Sequence, residues 1–413
     1  MPVELPVSRP ESERPTPPNL TLWLALFIAF MLTGVAATLL TWPKAEPTGT
    51  PWFWIQLLAL PALAWCVAFG LRRHYYDEET ERFCADDEVC RADRAEAIQF
   101  ASEPLAVVAH AYLCEPGHTG LASRIVKGPP MLDSRLPRSG GESVRHTSLS
   151  AIDDADHLER FRSCFFELLN LIDDQLFNLP SSVPLDVYLQ PPPNVDRKHL
   201  LAMWLACWEA FGHRPAEVSW LPAGSGLMAL DAWLDTTGGP ALEKFALFVA
   251  VQLHERPPEN SAEAAVALLL GWAPLAERAG IKPTALLHRP VEAQSNALAD
   301  ATEHALLWGR ATPQQINTIW QAALRSHDKS ALIQSASNLG LPASKTDGFS
   351  GIHSIDTALG DAGVAAPWLV AALAIEHAAH TGEPQLMANL DGALQLAVAQ
   401  PAKRESNGKV TGN

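Results

Sequence analysis

The chain has 413 residues, 48% hydrophobic and 18% charged, with 46 acidic against 30 basic groups and a formal net charge of -16. That length allows two or three domains with a sizeable core, and the charged fraction excludes a mainly disordered, collagen-like or many-span membrane chain. The acidic excess argues against nucleic acid as a partner, because a phosphate backbone is bound by Lys and Arg.

Residues 1–19 form a Pro/Glu-rich leader. Two uncharged stretches follow, Leu20 to Trp42 and Pro51 to Leu71, separated only by PKAEPTGT. Each is long enough to cross a hydrocarbon core, which takes roughly 20 helical residues. Residues 20–73 therefore read as a transmembrane helical hairpin, with Trp42, Trp52 and Trp54 at the headgroup level of its turn. Arg9, Arg14, Arg72, Arg73 and His74 lie outside the spans and only Lys44 in the turn. The positive-inside rule then puts both termini and the main domain in the cytoplasm. A signal peptide is the competing reading; it needs a basic lead and an apolar run of about 7 to 15 residues, which this leader and span do not supply. Up to Arg73 the net charge is +1, leaving -17 for the rest. The six cysteines include no CxxC pair, so neither a zinc knuckle nor a redox motif is signalled.

Residues 74–102 read as a polar spacer helix continuing from the second span. Pro104 to Cys114 reads as a buried strand. Residues 117–150 read as a long, locally basic loop. Helices are then expected at about Asp156 to Leu179, Arg197 to Phe211, Leu227 to Leu234, Asn296 to Gly309, Pro313 to Arg325 and Pro367 to His380. Strands are expected at Leu185 to Gln190, Val218 to Leu221 and Phe245 to Leu253, with apolar runs at Ala264 to Trp272 and Ala285 to Val291. Such alternation with near-continuous apolar strands demands a sheet covered by helices, an α/β body. Residues 401–413 read as a disordered tail.

No GxxxxGK[ST], GxGxxG or GxSxG motif is present. Glu376, His377 and His380 share a helical spacing, but His near a helix C-terminus also suits the dipole, and no HExxH pattern supports a metal. No cofactor or metal is expected.

Three stretches in order resemble the thiolase-like fold of the β-ketoacyl synthases. Pro222-Ala223-Gly224-Ser225-Gly226-Leu227 resembles the nucleophile turn, Ser261-Ala262-Glu263-Ala264-Ala265 the Gly-Glu-Gly-Ala strand, and Leu359-Gly360-Asp361-Ala362-Gly363-Val364-Ala365-Ala366 the Gly-His-x-x-Gly-Ala-Ala-Gly segment. ALADATEHALLWGRATPQQINTIW resembles the helix, turn and buried strand leading to the family's first catalytic His. The resemblance covers roughly residues 104–400. It implies a layered fold with two similar halves, about 103–255 and 256–400, and a homodimer formed through a sheet edge.

The departures decide the functional expectation. Gly224 stands where the resemblance puts the nucleophilic cysteine, and Cys207 comes too early to replace it. Ser225 supplies a hydroxyl that needs an adjacent base. Asp361 matches the second His but cannot polarise a carbonyl when ionised. Only His327 lies near the first. The expectation is a degenerate pseudoenzyme with no catalytic residues, acting as a membrane-anchored scaffold. An acyl-thioester-handling enzyme and a lipid or acyl-chain sensor are the alternatives. The two-span layout with PWFW, FGLR and PLAVVAHAYL also resembles inner-membrane accessory proteins of bacterial type VI secretion, which implies secretion-apparatus partners.

Overall fold

The computed structural model describes residues 3–7, 10, 14–43, 46–115, 117–128, 132–137, 140–149, 156–294 and 297–402. The expected disordered tail lies almost wholly outside these residues. The chain divides into two compact units, essentially residues 4–97 and residues 98 onward.

The N-terminal unit is helical. Asn19 opens the first helix, Leu20–Thr41, by accepting the Thr21 N–H at 3.1 Å. At 22 residues it reaches about 33 Å. The return begins at Pro51–Trp54, passes through a π-turn at Ile55–Ala59, and continues as one helix, Leu60–Ala101. The π-turn ends two residues before Pro61, which has no N–H to donate to the preceding turn. Aromatic residues join the two arms. Trp23 meets Phe69 at 5.3 Å, Phe27 meets Trp65 at 5.0 Å, and the Trp65 Nε1–H donates to the Trp23 carbonyl at 2.9 Å. Near the turn Trp42 meets Phe53 at 5.0 Å. Midway, Gly34 lies so close to the Pro61 ring that a Cβ there would overlap it.

The second unit is the α/β body. Its strands are β1 (Leu105–Leu113), β2 (Ser134–Arg135), β3 (Val144–Thr147), β4 (Leu185–Gln190), β5 (Glu217–Trp220), β6 (Phe245–Gln252), β7 (Ser261–Ala262) and β8 (Ala264–Trp272). They continue as β9 (Ala285–Leu287), β10 (Val291–Ala293), β11 (Ile319–Ala322), β12 (Ile352–Ser354), β13 (Gln385–Asp391) and β14 (Ala393–Pro401). The main sheet runs β12-β11-β13-β14-β9-β1-β8-β6-β4-β5. Its two ends repeat one design. In each half the second strand in sequence pairs in parallel with the third and the fourth, while the fifth pairs antiparallel with the fourth and the first. β1 and β9, the first strand of each half, then pair antiparallel with each other. By this topology β8 closes the first half, so the halves meet between Trp272 and Ala285 rather than at residue 255.

Alternate residues of each strand feed different layers, as the two-residue period of a strand requires. Ala106 and Val108 pack with Phe161, Leu169 and Trp204 of outer helices. Leu105 and Val107 face the opposite layer, with Trp368 and Leu373. In the second half Leu386 and Val398 pack under Leu306 and Leu332. The helix Ala366–Thr381 lies in the central layer between the halves, touching β1, β8, β9, β11, β13 and β14. From Ala366 to Ile375 it is buried and apolar all round, as an enclosed helix must be.

Three expectations from the sequence are corrected. Ile319–Ala322 is a strand, not part of a helix from Pro313, because its four residues are wholly buried between two parallel neighbours. Ala285 to Val291 is two short strands separated at His288–Pro290. Within residues 117–150 the chain forms a helix, Leu121–Lys127, and the β2–β3 pair, with β3 joined in parallel to β7.

Candidate functional site

Between β5 and the helix Met228–Leu234 the chain makes an elbow at Pro222–Leu227. Gly224 has φ +77° and Gly226 φ +43°, conformations that L side chains rarely adopt. A Cβ on Gly226 would stand 2.8 Å from Asp391 Oδ2 and 2.9 Å from Gln395 Oε1. The elbow therefore rests directly on the β13–β14 turn. Gln395 accepts the Leu227 N–H at 3.0 Å and donates to the Ser225 carbonyl at 3.3 Å. Ser225 is half-buried, and its hydroxyl donates to the Pro222 carbonyl at 2.8 Å.

A polar and aromatic assembly backs the elbow. Burial pushes the Asp391 carboxyl above its ordinary range, against the pull of Gln190 and the Gly226 N–H. Gln190 in turn accepts the Trp368 Nε1–H at 2.6 Å. Trp368, 1% exposed, stacks on Phe248 at 5.0 Å, and Phe248 stacks on Tyr188 at 5.0 Å. Trp368 is thus a packed core ring. Gln190, Asp391 and Gln395 escaped notice in the sequence because single polar residues at strand ends carry no spacing signal.

Asp361 lies on a second segment. It is exposed, and its Oδ1 accepts the Gly363 N–H at 2.9 Å. Its backbone bridges to Ser261, through Ala262 N–H to Asp361 O at 2.7 Å. Gly360, at φ +105°, presses against the Ser261 carbonyl. After β11, Ala323 takes φ +58° and donates its N–H to both Asp356 oxygens, at 2.9 and 3.0 Å. Lys329 Nζ stands 3.7 Å from the same carboxylate. Burial raises the Asp356 pKa, with Ala323 and Lys329 opposing and Asp361 adding to the rise. The structure thus brings Asp356 and Asp361 into one electrostatic neighbourhood, and the sequence reading had overlooked Asp356. His327 is exposed at the start of the next helix, beside Asp328. Among the described residues Ser225 shares no hydrogen bond with Asp361 or Asp356.

Glu376 holds a helix end from far along the chain. Its carboxylate accepts the N–H groups of Gly120 at 2.6 Å and Ala122 at 3.1 Å, and the Tyr112 hydroxyl at 2.9 Å. It thereby satisfies the open N-terminus of the helix Leu121–Lys127. His377 is buried edge-on to Trp320, with its pKa lowered by burial.

The basic loop closes over a buried ion pair. Arg160 and Glu263, 4% and 2% exposed, form a two-pronged bridge at 2.9 and 2.5 Å. Glu263 also accepts the N–H groups of Leu149 and His254. His146 bonds Ser261 Oγ at 2.8 Å, and its ring lies 5.8 Å from that of His254. Burial lowers the pKa of both. A cavity of about 60 Å³ beside them is lined in part by Arg135, Ser148 and Glu255.

No family model and no curated protein sequence matches the chain. Solved structures do. The ketosynthase from module 6 of the bacillaene synthase of Bacillus subtilis superposes with a TM-score of 0.55 at 13% identity, covering 73% of this chain and 71% of that one. The module 1 ketosynthase of the bacillaene synthase of Bacillus amyloliquefaciens gives 0.51 at 15%, over 74% and 77%. A β-ketoacyl synthase from Burkholderia phymatum gives 0.51 at 12%, over 73% and 100%. These neighbours are ketosynthases, that is condensing enzymes, and this corrects the expectation that the chain is no enzyme: the lost cysteine and histidines do not carry that conclusion, and it is withdrawn. The duplicated strand order, the buried central helix and these superpositions agree that the body has the thiolase-like fold of the ketosynthases.

Proposed function

We propose that the protein is a membrane-anchored docking module. Its hairpin sits in the bacterial inner membrane, both termini and the ketosynthase-like body lie in the cytoplasm, and the body recruits protein partners. A type VI secretion system is the apparatus that its layout fits. One observation carries the reading. The hairpin packs Trp23, Phe27, Trp65 and Phe69 between its arms and leaves Leu22, Leu24, Ile28, Leu32, Leu63 and Val67 exposed along both arms. So long an apolar surface suits lipid and not water. Strand β5 ends the sheet, and its outer edge has no partner among the described residues. An open edge of this kind supports a homodimer. Crosslinking in the native cells, detergent extraction and purification of the full chain should recover envelope-apparatus components. Recovery of the protein alone would overturn the reading.

A second reading is an acyl-thioester-handling enzyme, favoured by the ketosynthase fold and by a hydroxyl at the elbow. Here the Ser225 oxygen attacks the thioester carbonyl, the thiolate leaves and takes up the proton, and an acyl ester remains. Intact-mass measurement after incubation with an acyl thioester tests it: a stoichiometric adduct abolished by Ser225→Ala supports it, and the absence of any adduct ends it.

A further inference from the structure

Arg289, only 2% exposed, lies in the short connection between β9 and β10. A guanidinium so far from water is tolerable only when partners replace its hydration. Those partners are concentrated in one place. Nη1 stands 2.8 Å from Asp231 Oδ1 and 2.7 Å from Asp235 Oδ1, and Nη2 donates to the Leu234 carbonyl at 2.7 Å. All three groups lie in or just beyond Met228–Leu234, the helix that starts at the elbow. The same guanidinium stands 5.0 Å from the ring centre of Phe100, in the final turn of the long helix ending at Ala101. The preceding residue, His288, is 3% exposed, and its backbone N–H donates to the Val398 carbonyl at 3.0 Å. Arg289 therefore touches both the last turn of the long helix and the far end of the elbow helix.

A helix of two turns has little stability of its own, so whatever holds its ends sets its position. Gln395 holds the start, at Leu227, and Arg289 holds the finish. We propose that Arg289 is a positioning residue that couples the final turn of the long helix, at Phe100, to the elbow helix, so that a shift of that turn moves the Ser225–Leu227 backbone. The planar fork is the physical reason. Its donors diverge at fixed angles, so a guanidinium that follows the Phe100 ring cannot keep its bonds to Asp231 and Leu234 unless their helix follows too. The inference concerns how the elbow is regulated, and it goes beyond both readings of what the elbow does.

Hydrogen exchange of the full chain in detergent, read by mass spectrometry, tests the coupling. Phe100→Ala removes the ring without touching the elbow helix. It should speed exchange about tenfold at amides 227–235, with β6 and β8 unchanged. Arg289→Lys keeps the charge but loses the fork, and should speed the same amides at least as much. The double variant decides the matter: coupling through Arg289 predicts no acceleration beyond Arg289→Lys alone, whereas independent packing roles predict that the two effects multiply. Should Phe100→Ala fail to fold, Phe100→Leu removes the aromatic face while keeping apolar bulk, and is read in the same way. Multiplying effects, or unchanged exchange at 227–235 in either single variant, would overturn the proposal.

Discussion

Replacing Glu263 with Ala removes the carboxylate that both Arg160 prongs and two backbone N–H groups share. The bonds lost are those from Arg160 at 2.9 and 2.5 Å, from His254 at 3.0 Å and from Leu149 at 2.9 Å. Breaking a buried pair by removing one partner costs about 3–5 kcal/mol, because a charge is left in a site built for its opposite. With roughly 2–4 °C lost per kcal/mol in a domain of this size, the melting temperature should fall by about 10 °C. The control is Glu243→Ala, which breaks a bridge to Arg278 whose side chains are 45% and 56% exposed. An exposed pair is worth at most about 1 kcal/mol. Thermal unfolding of the full chain in detergent compares the two, and hydrogen exchange at residues 144–149 reports whether the loop over the pair loosens first. Burial alone would push the Glu263 carboxyl up, but Arg160 and the two N–H groups outweigh it and hold it below its ordinary value. Its stabilisation is accordingly complete above about pH 4.5 and lost only as the pH falls through the lower folded value. If Glu263→Ala melts no lower than Glu243→Ala, the reasoning about this site is refuted.

Three further outcomes follow from the same geometry. Gly226→Ala forces a Cβ against Asp391 and Gln395 at a positive φ, and should cost about 1–3 kcal/mol; chemical denaturation showing less than about 0.5 kcal/mol would contradict the close packing. Trp368→Ala loses the bond to Gln190 and the stack on Phe248, and should cost about 3–5 kcal/mol, measured by the same denaturation; a near-neutral result would mean the ring is not core. Burial pushes His288 down to about 4, so the stability it confers is complete above its unfolded pKa of about 6.5 and lost as the pH falls from there toward about 4, in all about 3 kcal/mol. The melting temperature should drop across that window, and His288→Gln should flatten the drop; an unchanged slope would be contrary evidence.

Much of the architecture was legible because it is written in long patterns. The two uncharged stretches become the two arms of a helical hairpin, and the apolar runs at residues 105–113 and 264–272 become β1 and β8. Ile319–Ala322 was misread because four residues are too few to show a period, and the parallel neighbours that make them a strand are far away in sequence. The closing pair β13–β14 went unassigned, since a run of small and amide residues such as ANLDGALQLA has weak strand character until it is buried. At the elbow, Gly224 and Ser225 could be located by the resemblance of their stretch to a synthase nucleophile turn. Asp391, Gln190 and Asp356 could not, because each reaches its place only through sheet pairing or a turn made elsewhere. Glu376 was equally hidden: its carboxylate serves a helix end more than 250 residues earlier in the chain, which no local spacing signals.

The central claim, that this ketosynthase-like body is held at the cytoplasmic face of a membrane by its hairpin, is tested most directly by protease accessibility in sealed inner-membrane vesicles washed with alkaline carbonate. The account predicts that the protein stays with the carbonate-washed membrane, and that protease digests the body in inverted vesicles but spares it in right-side-out ones. Release of the protein by carbonate, or digestion of the body only in right-side-out vesicles, would contradict it.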